Sequence, residues 1–134
     1  MNQKAKGTNA ERELIHMFWK SGWVAARVAG SGSMSYPSPD IIAAKYPRII
    51  VIEAKVTSQT RQYIYKEDIK GLQMFASVMN AEPWIAVKFN QIGWYFIGSS
   101  RFDNIEKPFS LCAEDMKIRG LLFDEVLQDS GQGL

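Results

Sequence analysis

The chain has 134 residues, 46% of them hydrophobic, which suits one core and one domain. A single cysteine, Cys112, excludes an internal disulfide, and with a single histidine, His16, it leaves too few ligands for a zinc finger. The net charge of +2 hides an asymmetry: residues 1–70 carry 11 Lys/Arg against 6 Asp/Glu, and residues 71–134 carry 5 against 8.

The opening "MNQKAKGTNAERE" lacks the apolar run of a signal peptide, and no segment is long enough to span a bilayer. An intracellular protein without a membrane partner is expected. Residues 1–7 read as a flexible basic arm carrying Lys4 and Lys6. Thr8 is then a good N-cap, with Glu11 three residues later completing a capping-box pattern. Ala10, Leu14, Met17, Phe18 and Ser21 recur at helical spacing, so a helix is predicted over about 9–21, stopped by "SG".

"WVAARV" at 23–28 is a strand, and "AGSGSMSYPSP" at 29–39 is a long loop of small and polar residues expected to be mobile. "DIIAA" begins a second strand, "KYP" turns the chain, and 48–56 returns as the third. "YIY" is a short edge strand after a loop. Residues 66–80 form a helix with Ile69, Leu72, Ala76 and Met79 on one stripe. "PWIAVKF" and "WYFIG" form a hairpin, with Trp84 and Trp94 in the core. A last helix is predicted over about 114–127, and 128–134 fray. The order α-β-β-β-α-β-β-α predicts a single α/β domain with a mixed central β-sheet flanked by helices.

The chemistry-bearing residues gather at one point of this layout. "IIVIEAKV" is an apolar strand interrupted by Glu53 and Lys55, which project from the same side because side chains alternate along a strand. The hairpin around "KYP" brings Asp40 to the same sheet end as Glu53. Two carboxylates there repel unless a cation lies between them, and a hard divalent ion takes carboxylates, waters and substrate phosphate. Lys55, about 7 Å farther along the strand, can hold a water or face a phosphate. This set fits metal-assisted phosphodiester hydrolysis. A plain Glu53–Lys55 ion pair on an exposed sheet face is the competing reading. Glu11 is also open: it either caps its own helix or faces the carboxylate pair. His16 has no second histidine to work with, and Phe75 and Met79 fit either core or an interface.

The segments "KGTNAERELI", "VAARVAGSGS", "PSPDIIA", "VIEAKV" and "EPWIAVKFN" together resemble the archaeal Holliday junction-resolving endonucleases of the PD-(D/E)xK nuclease superfamily. The likeness covers roughly residues 4–98 and is loose beyond them. It implies a restriction-endonuclease-like nuclease core acting as a homodimer on four-way junction DNA, with Mg²⁺ as cofactor and Mn²⁺ able to substitute. Asp40 and Glu53, with the Ala54 carbonyl, are then metal ligands, and Lys55 positions the water or stabilises the transition state. Glu11 becomes an additional catalytic acid and possible ligand. Ser31 and Ser33 are the candidates for a catalytic loop serine. Arg12, Arg27 and Lys88 are the implied DNA contacts, joined by Lys4 and Lys6 of the basic arm, and Phe75 and Met79 fall at the dimer interface. The loop before Asp40 carries no lysine, so its DNA contacts would come from hydroxyls and backbone amides. A restriction-type or repair nuclease, an RNA-processing nuclease and a non-catalytic junction-binding protein are the alternatives.

Overall fold

A computed structural model describes residues 3–30 and 35–129. The first helix, α1, runs Gln3–Lys20 and ends where Gly22 takes φ +84° and Trp23 N–H donates to Phe18 O at 3.0 Å. The strands that follow are β1 (Val24–Arg27), β2 (Ile41–Lys45) and β3 (Arg48–Thr57). After β4 (Arg61–Ile64) come α2 (Lys66–Met79), β5 (Glu82–Phe89) and β6 (Gly93–Gly98). A 3-10 turn (Ser99–Phe102), β7 (Phe109–Cys112), α3 (Ala113–Arg119) and α4 (Phe123–Gln128) complete the order.

The main sheet has the order β1-β2-β3-β5-β6, antiparallel except where β3 and β5 run parallel. That parallel step is made by the α2 crossover, which a parallel pair requires. Both faces of the central strands are covered, so β3 and β5 read as continuous apolar runs rather than alternating ones. Ile50, Ile52, Trp84 and Ala86 pack with Ala10, Leu14 and Phe18 of α1 and with Phe123 and Val126 of α4. Val51, Ile85 and Val87 point the other way, onto Ile69, Leu72 and Ala76 of α2 and onto Met116 of α3. The result is the expected α/β architecture, a mixed sheet between helical layers.

Three expectations are corrected. Residues 3–7 are the first turns of α1, not an arm, because "QKAK" consists of good helix formers and Gly7 interrupts them only once. Thr8 and Glu11 are therefore helix-interior residues, and Glu11 caps nothing. The strand at "YIY" does not sit on the edge of the main sheet: β4 pairs with β7 in a separate two-stranded ribbon, and β7 was not foreseen. The last helix is two helices. Gly120 separates them, since a Cβ there would lie 2.7 Å from Met116 O and 3.2 Å from Phe96 O. Leu121 exchanges two backbone hydrogen bonds with Phe96, of 2.8 and 2.7 Å, which no continuous helix could make.

Candidate active site

Asp40 stands at the entrance of β2, where it is fixed from three directions. Its N–H donates to Ile52 O at 2.9 Å, its carbonyl accepts from Val28 N–H at 2.8 Å, and Oδ2 accepts from Ala54 N–H at 2.8 Å. The hairpin register places Ile41 opposite Ile52, so Asp40 and Glu53 stand at one end of the β2/β3 pair. Glu53 and Lys55 share the face of β3 that looks toward α2, as the alternation requires.

Lys55 Nζ lies 3.3 Å from Glu53 Oε2 and 3.2 Å from Asp68 Oδ2, with the three side chains 24%, 16% and 36% exposed. The Glu53–Lys55 ion pair is thus real, but it is neither a simple pair nor on an open sheet face. Asp68 comes from the first turn of α2. Burial, and then the charge of Asp40, push the Glu53 carboxyl up to about 7, with Asp68 adding to the rise and Lys55 opposing it. Burial pulls the Lys55 ammonium down, yet Glu53 and Asp68 outweigh it and leave its pKa above the ordinary value.

Asp40 and Glu53 open into a cleft of about 330 Å³ lined also by Ser35, Tyr36, Pro37, Ser38, Glu67, Asp68, Gly71 and Leu72. Glu11 approaches from α1. Its Oε1 accepts from Arg27 Nε at 2.9 Å, and burial followed by the Asp40 charge raises its pKa, with Arg27 offsetting part of the rise. Of the two readings of Glu11, the structure removes the cap and brings the side chain within electrostatic reach of Asp40.

Other expected residues are placed less centrally. Arg27 holds Glu11. Lys88 Nζ bonds both Glu13 oxygens, at 3.1 and 2.9 Å, and Trp94 Nε1 donates to the same carboxylate. Lys88, Lys6, Asn9 and Asn90 line a second groove of about 200 Å³ between α1 and the ends of β3 and β5. Arg12 and His16 are exposed. Phe75 and Met79 are half-buried against the α2-side core, next to exposed Met74 and Val78. Ser31, Ser33 and the Lys4 side chain lie outside the described residues. Sequence reasoning missed Asp68. A signal for it existed, because a β3-α2-β5 crossover returns the start of α2 to the carboxyl end of β3, where open α/β sheets bind ligands.

Among the described residues no three His, Cys, Asp or Glu side chains converge as a metal cage. Asp40 and Glu53 still fit a hard divalent cation, because Mg²⁺ usually takes only one or two protein carboxylates beside water and phosphate oxygens. Two carboxylates in one cleft, one of them raised by the other's charge, are an arrangement that such a cation relieves. Among the described residues that line the cleft there is no histidine or cysteine, the donors zinc favours.

The chain matches the family described as archaeal Holliday junction resolvase (Hjc) over residues 2–131. It is 35% identical over 108 residues to the crossover junction endodeoxyribonuclease Hjc of Archaeoglobus fulgidus, covering 81% of this chain and 79% of that protein. It is 38% identical over 85 residues to the Methanocaldococcus jannaschii enzyme of the same name, covering 63% of this chain and 60% of the relative. The structure of Archaeoglobus fulgidus Hjc, a Holliday junction resolvase, superposes with a TM-score of 0.80 at 31% identity, over 92% of this chain and 97% of that one. The bacterial homing endonuclease I-Ssp6803I shares the fold, with a TM-score of 0.55 at 15% identity over 95% and 93% of the two chains.

Proposed function

Since the chain belongs to the archaeal Holliday junction resolvase family, we propose that the cleft of Asp40 and Glu53, with Lys55 beside it, is its active site for phosphodiester hydrolysis. The chain is a structure-selective DNA endonuclease that resolves four-way junctions. What supports the residue assignment is the convergence of Asp40 and Glu53 at one cleft, with Lys55 Nζ 3.3 Å from Glu53 and the Glu53 pKa pushed up to about 7.

Asp40 and Glu53, with the Ala54 carbonyl, would hold a divalent cation, Mg²⁺ by its oxygen donor set and Mn²⁺ in its place. Bound there, the cation supplies an acidified water and neutralises phosphate charge. The rest falls to the chain itself. Asp40 fixes the Ala54 peptide by accepting its N–H, so the strand bearing both flanking charges cannot swivel. Lys55 sets a positive charge where negative charge develops on the scissile phosphate. Glu11, held by Arg27, adds a carboxyl at the rim beside Asp40. Lys6, Arg12 and Lys88 offer phosphate contacts away from the chemistry, and Ser31 or Ser33 is the loop candidate.

Resolution needs two cuts, and we assign them to two copies related by a twofold axis, meeting on the α2 face that carries Phe75 and Met79. We place the enzyme in the cytoplasm with its DNA; among the described residues no helix is long and apolar enough to cross a membrane. The test is cleavage of a four-way junction with Mg²⁺ or Mn²⁺ by the parent, Asp40→Asn and Lys55→Ala, beside linear, nicked and RNA substrates of matched shape. Junction-selective cutting lost in both variants is expected, and undiminished cutting by both removes the assignment. A solution mass equal to one chain removes the dimer.

A further inference from the structure

We propose that Asp68 is a positioning residue for Lys55, sharing the ammonium with Glu53 so that its charge is not confined to the metal-facing carboxylate and stays available to the phosphate. This rests on the reading of Asp40, Glu53 and Lys55 as the active site and adds to it a residue from a different element.

Glu53 and Lys55 are two residues apart on one strand face, and lysine has a flexible four-carbon stem. With no third group, Nζ would settle on Glu53 alone, and the two charges would neutralise each other at the position where a cation must bind. Asp68 prevents that. It meets Nζ at 3.2 Å, beside the 3.3 Å contact to Glu53, and it is more solvent-exposed than Glu53, so the ammonium is shared with a carboxylate on the open side. An ammonium has three donors, so two carboxylates leave one for substrate.

Asp68 can do this because its own position is rigid. Its N–H donates to Tyr65 O at 3.1 Å, and the buried residues Ile69 and Leu72 fix the rotation of α2 against the sheet. The same helix face carries Gly71, where a Cβ would lie 3.3 Å from Pro37 Cβ. The segment leading into Asp40 therefore rests one turn beyond the residue that holds Lys55. One helix end sets both halves of the site.

The test is single-turnover cleavage of a four-way junction at saturating enzyme by the parent, Asp68→Ala, Asp68→Asn, Lys55→Ala and the Asp68→Ala/Lys55→Ala pair. Junction affinity without divalent metal and thermal melts accompany it. Asp68→Ala is expected to slow cleavage by about tenfold to a hundredfold, as a misplaced catalytic group does. Metal-free affinity should stay within about twofold. Asp68→Asn should lose less, since its amide oxygen still accepts from Nζ. Asp68→Ala should add nothing to whatever rate Lys55→Ala retains, because residues acting through one another are not additive. Parental cleavage by Asp68→Ala while Lys55→Ala is impaired overturns the positioning role alone, as does a multiplicative double variant or a loss explained by weaker binding. Parental cleavage by Lys55→Ala instead overturns the active-site reading beneath it.

Discussion

The two ends of β3 carry two charged clusters of opposite character. At the start of the strand, Arg48 meets Glu82 through two hydrogen bonds of 2.8 and 2.7 Å, donates to Val126 O and Leu127 O at the end of α4, and lies 5.3 Å from the Trp23 ring centroid. Trp84 Nε1 also donates to Glu82. Hydrogen bonding to Glu82 raises the Arg48 pKa against the opposing effect of burial. Five residues along, Glu53 has one lysine contact, a neighbouring carboxylate, and a pKa pushed up to about 7. Burial is similar, with side chains 15% and 14% exposed in the first pair and 24% and 16% in the second. Satisfaction is what differs. Arg48 and Glu82 fill each other's hydrogen-bonding capacity and stitch α4 to the sheet, whereas Glu53 and Asp68 share one ammonium and Asp40 adds negative charge beside Glu53, an excess on that side. A fold keeps such an excess where something from outside completes it.

Breaking each end should separate function from stability. Glu53→Gln should lower junction cleavage roughly a thousandfold, the scale of removing a group that stabilises transition-state charge, while Arg48→Ala leaves the cleavage rate per folded molecule within a few-fold. The reverse holds in chemical denaturation. There Arg48→Ala should lose about 3 kcal/mol, because Glu82 is left buried without its partner, and Glu53→Gln should lose nothing at neutral pH.

The pH dependence sharpens the contrast. The folded pKa of Glu53, about 7, lies above the ordinary 4.5, so the folded protein keeps a proton that the unfolded chain releases. Stability of the metal-free protein should therefore fall as pH rises from about 4.5 to 7 and level off above, by on the order of 3 kcal/mol from this residue. Comparing parent with Glu53→Gln at pH 5 and pH 8 isolates it; equal slopes for the two proteins would contradict the raised pKa. The smallest effect is expected at Gly71→Ala. The gain in helix propensity, about 1 kcal/mol, is offset by the 3.3 Å approach to Pro37. Stability should move by less than about 1 kcal/mol, and cleavage should slow a few-fold as the segment before Asp40 is displaced. An unchanged rate would show that this contact does not matter to the site.

Much of this was legible before the structure. The β2/β3 turn, the α2 stripe of Ile69, Leu72 and Ala76, and the hairpin closing at Gly93 each follow from local pattern. The acid–acid–lysine set followed too, because strand alternation and one short turn suffice to place Asp40 with Glu53 and Lys55. Two of the failures were non-local. Nothing in "FSLC" announces a strand until β4 offers it an edge, and "RGLL" reads as helix until Leu121 finds the Phe96 backbone. Thr8 and Glu11 form a capping box on paper, but a helix that begins at Gln3 overrides it.

By itself, the sequence determined which residues carry charge into an apolar strand and toward which end of β3 they stand. That much depends on the period-two geometry of a strand and on the cost of burying charge, both local. Only the tertiary structure decided what stands around that end. It brought Arg27 to Glu11 across 16 positions and Asp68 to Lys55 across 13, and it brought Lys88 and Trp94 to the Glu13 carboxylate. Those pairings depend on how α1 and α2 dock on opposite faces, which is set by core packing of many residues at once. No short stretch of sequence encodes it.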